Sequence, residues 1–451
     1  MTGRNFDSKE KSGSGAAFSL FPVALLLCVV LLLPGISISA EPRVLTLEQA
    51  LEIAAERNRD ILKAREFHEQ VKGRYVEERA AALPHLTITG QASTQHDESQ
   101  KAFPGGFMPA DQDSYGAELG LSQALYTWGK VGAAIRAAEK GFLTADERLR
   151  MARQDVWRDV SVAFYNILLA REHYDIASQN LAQKVRHLDE AQRKHGAGVA
   201  TDYDVLAAEV AVQNAMPDVI RAGNDIRVAR DRLAFLLALD GEVDVQGTLE
   251  TSLSPCPAYD EALSVAREKR PEIREISHRL AIADELVRVA DADDKPRLDL
   301  KGGYGWRHLE IGDSSGSGPL WTVGLHLSFP IFDGLKTRGK VAQAESERRS
   351  IRIDEAKLLE SVALDIRDAV NAVRESEEIV KALAGTVVQA ERLLQMAEKG
   401  FELGVKIRLE VDDAELNLRQ ARANLARARR DYLVARVNLE RVMGVLGEKK
   451  N

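Results

Sequence analysis

Leu121-Ser122-Gln123-Ala124-Leu125-Tyr126 and Leu327-Ser328-Phe329-Pro330-Ile331-Phe332 are one segment written twice. At the same spacing downstream, Ala138-Glu139 matches Ala344-Glu345, and Asp159 and Ala163 match Asp365 and Ala369. Gly198-Val199 then meets Gly404-Val405, while Val205, Ala208 and Glu209 meet Val411, Ala414 and Glu415. Val228-Ala229-Arg230 closes the series against Val434-Ala435-Arg436. Similarity held this far without a gap marks an internal duplication. Upstream, Ala50-Leu51 pairs with Ala262-Leu263, Asp60-Ile61 with Glu272-Ile273, and Pro84-x-Leu86 with Pro296-x-Leu298. The offset changes between Leu86 and Leu121, where the first copy has the longer loop. Each half reads helix, proline, strand, loop, strand, long helix, glycine turn, helix. The boundaries that follow are an export signal at 1–40, a first repeat at 41–240, a linker at 241–257, a second repeat at 258–446 and a tail at 447–451.

The helices are long. From Gly129 to His195 there is no proline, and at ~1.5 Å per residue that segment spans on the order of 100 Å. Its apolar seam steps in heptads through Ile135, Ala138, Phe142, Ala145 and Leu149, with inserted steps of four near Val160 and Val185. Heptads alone wind a left-handed supercoil, and each inserted four unwinds it locally, so such helices lie nearly straight side by side. The last helix repeats the seam through Ala414, Leu418, Ala421, Leu425, Ala428 and Tyr432. Its first-half counterpart carries Pro217, which is expected to kink it. Helices near 46–82 and 203–239 are each about half the long one, so two stacked end to end match it, like staves of equal length.

Four segments alternate with the period of a strand. Leu86, Ile88, Gly90 and Ala92 face away from Thr87, Thr89, Gln91 and Ser93. Tyr115, Ala117, Leu119 and Leu121 form the apolar side of a second run. Leu298, Leu300, Gly302, Tyr304 and Trp306 do so in a third, and Trp321, Val323, Leu325, Leu327 and Phe329 in a fourth. The opposite sides are rich in glycine and small polar groups. That dyad pattern, with Tyr115, Tyr304, Trp306, Trp321 and Phe329 as an aromatic belt, suits barrel strands in a membrane. Four strands cannot close a barrel, and an open edge cannot sit in lipid, so a membrane role requires several copies. Residues 97–114 and 308–320 read as polar loops between the strands.

The N-terminus points to export. Arg4, Lys9 and Lys11 precede an apolar run from Phe18 to Pro34, and a small-residue exit leads to Ala40. This is the order of a secretory signal, with cleavage after Ala40 or after Ser39. Cys28 follows Leu27 where a lipidation signal requires a small residue, so it leaves with the signal. Cys256, between Pro255 and Pro257, then remains alone and forms no internal disulfide. A net charge of −8 with no basic face argues against a nucleic-acid partner. The nine histidines are scattered, and no metal-ligand spacing, P-loop or nucleophile elbow appears, so neither enzyme nor cofactor is indicated.

The duplication resembles the TolC-type outer-membrane efflux family. So do Leu327-Ser328-Phe329-Pro330-Ile331-Phe332-Asp333-Gly334 and Gly400-Phe401-Glu402-Leu403-Gly404-Val405-Lys406 followed by Val411-Asp412-Asp413-Ala414. The resemblance covers essentially the whole mature chain. It implies an α+β membrane protein in which a long-helix α-barrel continues into a β-barrel. The assembly would be a homotrimer to which each protomer gives four strands, set in outer-membrane lipid and extending into the periplasm. The implied partners are a periplasmic adaptor and an inner-membrane transporter or exporter. By motif position Glu410 and Asp413 match acids that ring the family's closed aperture, and Lys406 with Asp204 match a pair that locks it. Phe401 stands where the type member has a tyrosine, so that hydroxyl is missing. The turns at Gly198-Val199 and Gly404-Val405 match the tips that meet the adaptor. A soluble periplasmic coiled-coil scaffold or adaptor is the rival, and it accounts for the heptads but not for the strands.

Overall fold

The computed structural model describes residues 43–99, 110–250 and 252–447. The expected export signal at 1–40 lies outside them, as do 100–109 and 448–451. The first half runs β1 (Arg43–Leu45), α1 (Leu47–Arg57), α2 (Arg59–Ala80), β2 (His85–His96), β3 (Asp111–Tyr126), α3 (Lys130–Gly196) and α4 (Asp202–Leu237). The second runs β4 (Val243–Val245), α5 (Tyr259–Lys269), α6 (Pro271–Asp291), β5 (Arg297–Ile311), β6 (Ser314–Ser328), α7 (Lys336–Glu402) and α8 (Arg408–Val442). The two long helices, α3 and α7, have 67 residues each.

The helix expected over 46–82 is two helices. Asn58 takes an extended backbone and caps α2, its Oδ1 accepting the N–H of Asp60 at 2.9 Å. Its Nδ2 donates to the Leu236 carbonyl at 2.8 Å, in the last turn of α4. So α2 begins where α4 ends, and both pack along α3. The second repeat does the same by other means. Arg270 is held extended ahead of Pro271, as residues before proline are. Gly444, just past α8, comes so close that a Cβ there would lie 2.7 Å from Arg270 Cα. Half-length helices therefore do stack end to end beside full-length ones. Pro217 does not interrupt α4, which continues through it as one helix.

Two equivalent cores hold the halves. One gathers Ala50, Ile61, Val160, Ile167, Leu233 and Leu237, and the other Ala262, Val362, Ile366, Val370, Tyr432 and Leu439. The segment 241–257, read as a linker, belongs partly to the first. Its β4 pairs parallel with β1, and Val243, Val245 and Leu249 are buried. A network of ion pairs in the second half reaches the first through Asp155. Arg441 reaches Asp155 and Glu272 at 2.8 Å, and Arg270 reaches Asp365 at 2.8 Å.

The four remaining strands form one antiparallel sheet in the order β2-β3-β5-β6. Register aligns the apolar positions across it: Ile88 opposes Leu119, Leu119 opposes Tyr304, and Tyr304 opposes Trp321. Glu118 and Gly305 oppose one another on the other face. A bulge between Ala124 and Tyr126 sets Tyr126 opposite Leu298, returning an aromatic ring to the apolar side. In the single protomer that side is open to solvent, Ile88 at 81 % and Val323 at 73 % exposure. The strands outrun their expected length. Most of 308–320, expected as a loop, is hairpin that turns at Gly312 and Asp313, and 111–114 belongs to β3. Tyr304 and Trp321 oppose one another within the strands, Trp306 lies two residues and Tyr115 four residues farther towards the β5–β6 turn, and Phe329 lies beyond β6 at the opposite end. From Trp321 to Phe329 is ~27 Å along the strand at ~3.4 Å per residue.

Candidate gate at the paired helical turns

Both long helices end in the same way. Gly198 and Gly404 take left-handed backbones, φ 77° and 69°. The N–H of Val199 reaches the Lys194 carbonyl at 2.9 Å, and that of Gly198 reaches His195 at 2.8 Å. Val405 to Gly400 at 2.8 Å and Gly404 to Phe401 at 3.0 Å repeat the pattern. Each is a Schellman cap, which needs a residue that tolerates positive φ. The chain restarts at once. Thr201 and Asp204 cap α4 reciprocally, with Thr201 N–H donating to Asp204 Oδ2 at 2.8 Å. At α8 the equivalent N-cap is Ile407, which has no side-chain acceptor. Only the reverse bond remains, from Ile407 N–H to Glu410 Oε2 at 3.0 Å. Both turns present exposed apolar groups, Val199 on one and Leu403 and Val405 on the other.

The residues singled out by motif gather at this end, with different partners from those implied. Lys406 precedes α8 instead of lying on its face, and its Nζ pairs with Glu410 Oε1. That bond first, and the Ile407 N–H second, hold the Glu410 carboxyl below its ordinary range. Asp204 is held low by its backbone and side-chain hydrogen bonds with Thr201. Within one protomer Asp204 and Lys406 therefore do not meet. Asp413 is exposed and has no polar partner among the described residues. Phe401 is half-buried between two cations. Lys194 Nζ lies 5.6 Å from the ring centroid and Arg408 Cζ 5.9 Å, within cation–π range.

One residue here escaped the sequence. Glu415 is buried, two positions beyond Asp413, on the side of α8 that faces α3. Its Oε1 accepts from Gln183 at 2.5 Å and lies 2.8 Å from His187 Nε2. Its Oε2 accepts from Lys184 Nζ at 2.8 Å, and Lys184 also reaches Asp412 at 3.0 Å. A carboxylate only accepts, so the facing histidine nitrogen carries a proton. Burial pushes the Glu415 carboxyl up, but the bonds from His187 and Lys184 and the Lys184 charge outweigh it and bring the carboxyl down to about 2. The sequence signal was slight: an acid beside the seam residue Ala414, matched to Glu209 in the first repeat. Among the described residues no group of histidine, cysteine and acidic side chains could hold a metal ion. Nor is any described helix long and apolar enough to cross a membrane.

One family model, the outer membrane efflux protein, matches this chain twice, over 50–239 and 262–445. The chain belongs to the outer membrane efflux protein family. The two matches open at Ala50 and Ala262, the pair that opens the duplication. The chain is similar to outer membrane protein TolC of Vibrio cholerae, 24% identical over 381 residues, 82% of this chain and 84% of that protein. It is also similar to the alkaline protease secretion protein AprF of Pseudomonas aeruginosa, 27% identical over 385 residues, 82% of this chain and 78% of that one. Its fold is that of the Campylobacter jejuni CmeC outer membrane channel, with a TM-score of 0.76 at 17% identity over 90% of this chain and 87% of that one. The Neisseria gonorrhoeae MtrE outer membrane channel in its open state gives 0.75 at 22% identity, covering 90% and 91%. An outer membrane efflux protein is a channel, and the family is not one of enzymes.

Proposed function

We propose that three copies of this outer-membrane channel close into a duct, carrying cargo from a periplasmic adaptor and an inner-membrane transporter or exporter to the exterior. The observation that carries the reading is the sheet. Its edges β2 and β6 have no strand partner among the described residues, and one whole face is apolar and exposed. An edge in hydrocarbon leaves backbone groups unsatisfied, so β6 of one copy must meet β2 of the next. Three four-stranded sheets make a twelve-stranded barrel. The helices would then line up as a tunnel leading to the paired turns. Relatives named for efflux pumps and for protease secretion support both kinds of cargo route. The energy comes from the inner-membrane partner, since the chain shows no nucleotide motif.

The turns form the periplasmic mouth. Exposed Val199 and Val405, held out by Gly198 and Gly404, offer an adaptor an apolar footing. Asp413 and Glu410 from three copies ring the opening, favouring cations. Lys406 and Asp204, which inside one protomer bond Glu410 and Thr201, would meet across the subunit boundary by exchanging those partners, with Phe401 packed alongside as the third element of the lock. The test is fractionation. The protein should remain with the outer membrane after alkaline washing and run as a trimer on unheated SDS gels. Release by the wash as a monomer would restore the soluble periplasmic scaffold.

A further inference from the structure

Towards the mouth, the two helical hairpins of a protomer are held together in a different way from elsewhere. The buried apolar clusters there are internal to the second hairpin. Ala390, Leu418 and Ala421 form one, and Ala397, Val411 and Ala414 another, all from α7 and α8. The ties from α8 back to α3 in this region are polar: Gln183, Lys184 and His187 on Glu415, Lys184 on Asp412, and Gln179 with Arg422 at 3.2 Å. Farther along α8 the attachment changes character. Ala426 joins the first apolar core, and Arg441 sits in the ion-pair network with Asp155 and Glu272. From Glu415 to Arg441 is ~39 Å of helix at ~1.5 Å per residue.

An apolar contact has no preferred direction and yields gradually, whereas a charge-assisted hydrogen bond is made or broken within about 1 Å. α8 is thus fixed at one end and fastened at the other by a cluster that can release as a unit. We propose that Glu415 is a latch between the two hairpins of each protomer, holding α8, and with it Asp413 and Glu410, in the closed position of the mouth. This rests on reading those two acids as the aperture. Glu415 touches no cargo and acts through Asp413, so it is a positioning residue. Both of its oxygens are occupied by donors from α3, and the carboxylate in turn neutralises Lys184, itself largely buried. Removing the charge from either side leaves Lys184 with Asp412 alone, or Glu415 with only Gln183 and His187, and the weakened cluster favours separation of the hairpins.

The test uses the full-length trimer in lipid, with Cys256 replaced by alanine and spin labels at Gln192→Cys on α3 and Glu402→Cys on α7. Labelled chains are diluted with unlabelled ones so that distances within a protomer dominate. Glu415→Gln and Lys184→Met should each broaden and lengthen the distance between the hairpin tips, and the double variant should do no more than either alone. Lys184→Arg should keep the parent distance. Closed-state conductance in planar bilayers should rise about tenfold in the first two, for a shift of ~1.4 kcal/mol in the closed–open equilibrium. Unchanged distances in trimers of Glu415→Gln and Lys184→Met would overturn the latch, as would effects of the two that simply add. If a variant assembles poorly, the same labels in mixed trimers carrying one variant chain read the same quantity. Longer distances with unchanged conductance would support the latch and count against Glu410 and Asp413 as the aperture. Altered ion selectivity in Asp413→Asn with unmoved tips in Glu415→Gln would do the reverse.

Discussion

At the scale of single residues, the carboxylates near the second turn differ in their bonding. Glu410 is tied to Lys406 and to the start of α8, while Asp413 has no polar partner among the described residues. A neutralised acid contributes little field to an opening, so Asp413 should dominate. Asp413→Asn is expected to lower cation preference, read as the reversal potential in asymmetric salt, more than Glu410→Gln does. Lys406→Met should raise it by unmasking Glu410, and equal effects of the two acid variants would remove the distinction. Glu415 makes a stability prediction with a definite sign. Its carboxyl titrates near 2 in the folded chain instead of 4.5. The stabilisation is therefore complete above about pH 4.5 and is lost as pH falls towards 2. At ~1.4 kcal/mol per unit it amounts to roughly 3 kcal/mol per protomer. Glu415→Gln should melt below the parent at pH 7, and the gap in Tm should narrow between pH 5 and pH 3. A gap that widens on acidification would contradict the assignment.

Elements were legible where one face is buried or meets lipid, because period then reports environment. Hence the long helices, the duplication and the alternating parts of the strands could be read from the chain. Ser314 to Ser317 could not, since that stretch is held by backbone pairing to β5 with no apolar face to register. Asn58 was hidden for another reason. Its neighbours favour helix, and the break exists because its side chain serves two helices at once, capping α2 and bonding Leu236. Glu415 needed three α3 side chains far away in sequence, which no local pattern contains. Glycine spacing in the sheet leads to a contrast at this scale. A Cβ at Gly305 would meet the Ala117 carbonyl at 2.5 Å, whereas one at Gly303 would meet the end of the Glu118 side chain at 2.1 Å. The side chain can turn aside and the backbone cannot. Gly305→Ala should reduce the yield of SDS-resistant trimer markedly, by about 1–3 kcal/mol of overpacking, and Gly303→Ala little. Equal yields would show that the strands there separate freely.

For the whole molecule, the decisive matter in the proposed barrel is which face of the sheet meets lipid, because that would set the inside of the duct. Register brings Ile88, Leu119, Tyr304 and Trp321 onto one side, and Thr89, Glu118 and Thr322 fall on the other. A protomer alone leaves both sides wet, so neither its cores nor its ion pairs select between them. Only assembly in a bilayer makes the choice costly. Val323 opposes Gly302 within the apolar band, and Thr322 opposes Gly303 on the polar face. Val323→Arg would place a guanidinium in hydrocarbon at a cost of ~2–4 kcal/mol per copy near the midplane. In the proposed trimer three copies would multiply the penalty, since all three arginines would enter together. Thr322→Arg would instead add three charges to the water-filled bore of the proposed barrel, where they should shift conductance towards anions without hindering assembly. The expected outcome is loss of the folded trimer from the outer membrane for Val323→Arg and normal insertion with altered selectivity for Thr322→Arg. Normal insertion of both would mean that this sheet does not face lipid, and the reverse order would turn the barrel inside out.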